Sequence, residues 1–204
     1  MIVEETTFVG ANDPMKPIFT DFAALLETRL RRDVPTTEDS VRYTLFASLL
    51  RNQVEPHSVI LEYSHPEIRR ARIDTWLTDF RGGAVAIEFK YDRDPPGGKN
   101  PPTTQKAGAL FADLRRLHLV SDRAAAYLVY LTTKPMDVYL SSPERGHREL
   151  YELAPGKSLA IGARYFANKP ATFQGAAGGV FEASVSAVLG RRFAGHSLRV
   201  YSVE

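Results

Sequence analysis

Apolar residues fall at Phe19, Phe22, Leu25, Leu26 and Leu30 of "PIFTDFAALLETRLRR", the spacing of a helix with one buried face. In "PTTEDSVRYTLFASLLRNQ", Val41, Leu45 and Leu49 form a second stripe. Thr37 precedes it as an N-cap, because its hydroxyl oxygen can accept a first-turn N–H. The period then shortens. "SVILEYS" (58–64) predicts a strand. "ARIDTWL" (71–77) alternates, with Ile73, Thr75 and Leu77 on one face and Arg72, Asp74 and Trp76 on the other. Gly82-Gly83 predicts a hairpin turn. "AVAIEFKY" (84–91) predicts its second strand, with Val85, Ile87 and Phe89 on one face and Ala84, Ala86, Glu88 and Lys90 on the other. "DRDPPGGKNPPTT" (92–104), with four prolines and two glycines, predicts a loop. "QKAGALFADLRRLHLV" carries Leu110, Leu114 and Leu117 at helical spacing, and "AAAYLVYLTT" predicts a buried strand. The order is helix, three strands, helix, strand.

Beyond residue 134 the pattern weakens. "SPERGHRELYEL" predicts a short helix and "NKPATFQGAAGG" a flexible connection. "FEASVSAVL" favours a strand with a helix as its alternative, and "HSLRVYSVE" predicts a terminal strand. The fold expectation is α/β: a mixed central sheet flanked by helices, with a C-terminal β-rich extension (about 134–204) on one domain spanning 1–204.

Composition narrows the chemistry. With 204 residues, 44% hydrophobic and 25% charged, the chain suits a globular core. It has no cysteine, which removes disulfides, thiol nucleophiles and Cys-based zinc sites and makes a reducing cytoplasm the expected location. The start, "MIVEETTFVGANDPMKP", is acidic and lacks a long apolar run, so no signal peptide is expected. "AAAYLVYL" is too short for a membrane span. A net charge of +2 permits a polyanionic partner without requiring one. The five histidines show no metal-ligand spacing, and no G-x-S-x-G appears. "PPGGKNPP" lacks the spacing of a phosphate loop.

The unusual feature is Glu88 and Lys90 inside an apolar strand, with Asp74 on the strand before. Burying such groups costs several kcal/mol unless they are paired or bind a metal. Residues i and i+2 of a strand point the same way, so Glu88 and Lys90 project side by side. Strand spacing of about 4.8 Å lets Asp74 reach Glu88. Two converging carboxylates repel unless a cation intervenes, and Mg²⁺ suits carboxylates, water and phosphate oxygens.

Asp74 followed by "EFK" (88–90) resembles the motif of the PD-(D/E)xK nuclease superfamily, over roughly residues 36–133. The resemblance implies a restriction-endonuclease-like core and a divalent-metal-dependent nuclease, with DNA the expected polymer and a restriction or defence role. It implies Asp74 and Glu88 as Mg²⁺ ligands (Mn²⁺ able to substitute), Glu38 as a further ligand with Asp39 its rival, Lys90 positioning or activating the water, and Gln105 beside it. Ile73 stands where the motif has Pro, and "QKAGA" departs from the Gln-x-x-x-Tyr of the exonuclease-like branch. A nuclease cutting both strands often works as a homodimer. Arg69, Arg70, Arg72 and Lys99 flank the motif as candidate phosphate contacts. The paired arginines elsewhere, Arg115-Arg116 among them, read as solvated faces. Tyr43 and Trp76 are candidates for base stacking or for core packing.

Two other readings remain. The chain could be a non-catalytic nucleic-acid-binding or interaction module on the same fold, or an unrelated α/β protein with a fortuitous E-x-K. In the bland version, Asp74 is a solvated hairpin residue, Glu88 and Lys90 form a charge pair, and Glu38 compensates a helix dipole.

Overall fold

The computed structural model describes residues 13–93 and 102–204. Helix α1 (Lys16–Arg31) and helix α2 (Glu38–Arg51) come first. Thr37 caps α2 as expected, its Oγ1 accepting the Ser40 N–H at 3.2 Å. Strands β1 (Val59–Ser64), β2 (Arg72–Phe80) and β3 (Gly83–Asp92) follow, then helix α3 (Thr103–His118) and strand β4 (Ala124–Thr133). The predicted order of the core is therefore observed.

One seven-stranded sheet runs in the order β1-β2-β3-β4-β7-β6-β5. Its last strands are β5 (Ser158–Ile161), β6 (Ala183–Phe193) and β7 (His196–Val203). Neighbours are antiparallel except β3 and β4. A parallel pair needs a long crossover, and α3 lies within it. The C-terminal strands join the sheet through β7, which pairs with β4 from Ala126–Val203 to Thr133–His196.

Apolar side chains divide by sheet face. Phe19, Phe22, Leu45 and Leu49 of α1 and α2 pack with Val85, Ile87 and Phe89. Leu110, Phe111, Leu114 and Leu117 of α3 pack with Ala86, Leu128 and Tyr130 on the other face. The alternation predicted for β3 holds, and small alanines stand where α3 presses on the sheet.

Three local expectations need correction. Arg81 (φ 53°) and Gly82 (φ 87°) make the β2–β3 turn, while Gly83 already pairs with Phe80. Two left-handed central residues match the twist of a two-residue hairpin. In β2, strict alternation fails: Ile73 shares a cluster with Trp76, and Leu77 lies in the other. The β1–β2 pairing passes from Leu61–Thr75 to Tyr63–Ile73, and Glu62 sits at φ 54°. The irregularity thus falls opposite Asp74. Lastly, the expected flexible connection contains a helix.

That helix is α7 (Ala171–Ala177), with Phe173 fully buried. Before it come α4 (Lys134–Ser141), α5 (Arg148–Tyr151) and α6 (Ala163–Phe166). Packing of α7 on α3 depends on Gly108, where a Cβ would stand 2.5 Å from the Phe173 carbonyl oxygen. Among the described residues no helix is long and apolar enough to cross a membrane.

Candidate functional site

The site begins where β2 parts from β3. Their paired residues run from Phe80–Gly83 to Thr75–Ile87. Beyond that point side chains take over the β3 backbone. The Phe89 N–H donates to Asp74 Oδ2 at 2.8 Å, and the Tyr91 N–H donates to Glu38 Oε2 at 2.8 Å. Glu38 reaches this edge because Thr37 starts α2 immediately before it. An unpaired buried N–H is costly, so each carboxylate has a structural task whatever else it does.

Asp74 is also clamped from α2. Arg42 Nη2 lies 2.6 Å from Asp74 Oδ1, and Arg42 Nη1 lies 2.7 Å from Glu62 Oε1. Glu62 is opposite Asp74 at the β1–β2 irregularity. One guanidinium therefore ties three elements together.

On the α3 face, Glu88 is 1% exposed. Arg116 Nε donates to its Oε1 at 3.0 Å, and Arg116 Nη2 lies 2.7 Å from Asp113 Oδ1. Lys90 Nζ stands 3.9 Å from Asp113 Oδ2. Glu88 and Lys90 project to one side, as their spacing predicts. Burial pushes the Glu88 carboxyl up to about 8; Arg116 opposes this, while Asp74 and Asp113 add to it. Asp113 is pushed up to about 6, again mainly by burial, with Arg116 and Lys90 opposing. Glu38 is raised by burial too, with the Tyr91 N–H and Lys90 pulling back and Asp74 pushing further. Asp74 acts on all three other acids, so the carboxylates form one electrostatic neighbourhood.

Glu38, Asp74, Glu88 and Lys90 thus belong together. Gln105 does not join them. Along α3, Arg116 meets Glu88, Asp113 meets Lys90 and Lys106 approaches Asp92 at 3.6 Å. Gln105 lies one residue further, exposed in the first turn, about 12 Å along the axis from Asp113 at 1.5 Å per residue. Arg69 and Arg70 are exposed in the β1–β2 loop. Arg72 is exposed and donates to the Glu62 carbonyl at 2.8 Å. Lys99 lies outside the described residues. Tyr43 is 63% exposed, whereas Trp76 is buried and stacks on Tyr63 at 4.6 Å.

Arg42, Asp113 and Arg116 were not singled out from sequence. Asp113 had a legible signal: it sits three residues after Leu110 and four before Leu117, on the buried stripe of α3. Arg116, read as part of a solvated face, instead bonds two buried acids. Two histidines are buried: one caps a loop and the other sits inside the C-terminal core. His65 accepts the Glu67 and Ile68 N–H groups, and His147 is 2% exposed, with burial driving its pKa down to about 3.

A cavity of about 1220 Å³ opens beside β5, lined by Arg148, Arg164 and Lys169 among others. None of the sequence-predicted site residues lines it. Among the described residues, no three Asp, Glu or His side chains stand ready to share one metal ion. No family model matches the chain, and no curated protein or solved structure matches it.

Proposed function

We propose that the chain is a divalent-metal-dependent nuclease acting at the β2–β3 edge. The observation that carries this reading is a carboxylate buried to 1% exposure, Glu88, with Lys90 two residues on and Asp74 and Glu38 lining the adjoining strand edge. A chain seldom buries such a set without pairing or using it.

The donor set suits a hard cation. Every candidate ligand is a carboxylate oxygen, and each such oxygen has two lone pairs, so an accepted hydrogen bond leaves room for an ion. Mg²⁺ takes only one or two carboxylates, completing its shell with water and phosphate oxygens, so it needs no ready-made set of three. Asp74 and Glu88 would hold it, with Glu38 in support. When bound, it would polarise a phosphoryl oxygen and acidify a water. Lys90, about one-quarter exposed at its side chain, would orient that water and face the charge developing on phosphorus. Asp113 pairs with the Lys90 ammonium at 3.9 Å. Arg42 fixes the Asp74 rotamer.

The test is incubation of single- and double-stranded DNA and RNA with Mn²⁺ or Mg²⁺, with Glu88→Ala as control. Cleavage by the wild type and none by the variant is the expected result. No cleavage of any polymer would remove the catalytic reading.

One observation favours a non-catalytic nucleic-acid-binding module instead: Asp74 and Glu88 already carry arginine partners. In that case nucleic acid binds equally with EDTA or Mn²⁺.

A further inference from the structure

Arg42 and Arg116 hold the same kind of partner in different ways. Arg42 is 15% exposed at its side chain, with both terminal nitrogens on carboxylates at 2.6 and 2.7 Å. It is a latch. The Arg116 side chain is 29% exposed. Nε and Nη2 face Glu88 and Asp113, and Nη1 has no hydrogen bond to a described residue. Its backbone is fixed separately, since the Arg116 carbonyl oxygen lies 3.0 Å from His65 Nε2. The side chain can therefore turn without moving α3.

Charge counting points the same way. When ionised, Glu88 and Asp113 balance Lys90 and Arg116 on the α3 side, while Glu38, Asp74 and Arg42 on the strand-edge side add one further negative charge. A divalent cation on Glu88 adds two positive charges and leaves a positive surplus. The surplus falls if Arg116 leaves the acids and a phosphodiester anion enters. A planar guanidinium suits phosphate oxygens well, as it presents paired donors.

We propose that Arg116 is a two-position residue, which neutralises Glu88 and Asp113 in the cation-free protein and turns outward to a substrate phosphate once a divalent cation takes Glu88. This role rests on the nuclease reading. It makes Arg116 both a competitor of the cation and a binder of the polymer. Removing it should therefore change the two affinities in opposite directions, because a ligand shifts an equilibrium only through its different affinity for the two states.

The experiment uses the full chain and the variants Arg116→Gln and Arg116→Lys. Mn²⁺ binding is measured by calorimetry without nucleic acid. Binding of a short fluorescent DNA duplex is measured by anisotropy with Ca²⁺ at several NaCl concentrations. Arg116→Gln should bind Mn²⁺ several-fold more tightly and the duplex more weakly. Its plot of log K against log salt should be shallower by about 0.9, the loss of one phosphate contact. Arg116→Lys keeps the charge and should retain the wild-type salt slope. Loss of both affinities together in Arg116→Gln would make Arg116 a structural brace and overturn the proposal. So would no change in either. A wild type that binds neither Mn²⁺ nor duplex would overturn the nuclease reading and this role with it. A wild type that binds both while Arg116→Gln matches it would overturn this role alone.

Discussion

Arg42 and Asp74, 32 residues apart in sequence, meet at 2.6 Å between α2 and β2. The second oxygen of Asp74 accepts the Phe89 N–H. Both oxygens of this acid are therefore held, whereas Glu88 is buried at a net cost to its charged form. The two acids of the motif should respond in opposite ways to loss of charge.

For Asp74→Asn, the charge-assisted bond to Arg42 weakens and an amide nitrogen can face a donor. The expected loss is about 1.5–3 kcal/mol, the range for hydrogen bonds to charged groups. Urea denaturation of both proteins in EDTA measures it. A variant as stable as wild type would mean that the Arg42 clamp contributes nothing to the fold.

Glu88→Gln should stabilise the metal-free protein, and the gain should depend on pH. The folded-state pKa of Glu88 is raised from 4.5 to about 8. A raised pKa means that the folded state binds the proton more tightly. The stability this gives is present below the unfolded value and is lost as pH rises through the folded one. The advantage of Gln over Glu should thus grow between pH 4.5 and about 8 and level off above, reaching on the order of 5 kcal/mol. Melting curves across that range decide it; a difference independent of pH would mean that Arg116 compensates the charge fully.

Mn²⁺ at ten times its Kd should add about 1.4 kcal/mol to the wild type. For a chain of this size that is a rise of about 3–6 °C in Tm. Glu88→Gln should lose most of the rise. An unchanged wild-type Tm at millimolar Mn²⁺ would leave only a cation site that forms with the substrate.

Lys90→Ala should abolish cleavage and leave duplex binding nearly intact, since Lys90 is assigned to the developing charge rather than to the polymer. Single-turnover cleavage set beside anisotropy separates these effects. Parallel loss of both would make Lys90 a phosphate anchor.

Gly108→Ala should destabilise by about 1–3 kcal/mol through overpacking. The added methyl would stand 2.6 Å from the Ala176 Cβ as well as against the Phe173 carbonyl. Thermal unfolding tests this, and an unchanged Tm would show that α7 can move away from α3 freely.

What could be read from sequence followed from local period. Strand β3 alternates without interruption, so its two faces and the shared side of Glu88 and Lys90 were legible. The β2–β3 hairpin was legible from its glycines, although Arg81 rather than Gly83 completes the turn. Helix α7 was hidden because "ATFQGAA" has only Phe173 as a large apolar residue, and its packing partner lies far away at Gly108. The break in β2 alternation was hidden because nothing within "ARIDTWL" marks it; the left-handed residue opposite Asp74, Glu62, is on another strand. In the site, Glu88 and Lys90 were legible from their shared strand face and Asp74 from the preceding hairpin strand, while Glu38 came only with the motif resemblance and Asp113 was missed. The arginine partners were not legible, because Arg42 and Arg116 are 32 and 28 residues from Asp74 and Glu88. No window of helical or strand length spans such a separation.

The carboxylates that close the open edge of β3 give the site two spectroscopic reporters. The amide protons of Phe89 and Tyr91 owe their partners to Asp74 and Glu38 rather than to a neighbouring strand. Each amide resonance and its rate of exchange with deuterium therefore follow one side chain. An ion or polymer that draws Asp74 away exposes the first amide, and one that draws Glu38 away exposes the second. Ligand occupancy at either acid becomes visible in the backbone spectrum without any label on the ligand.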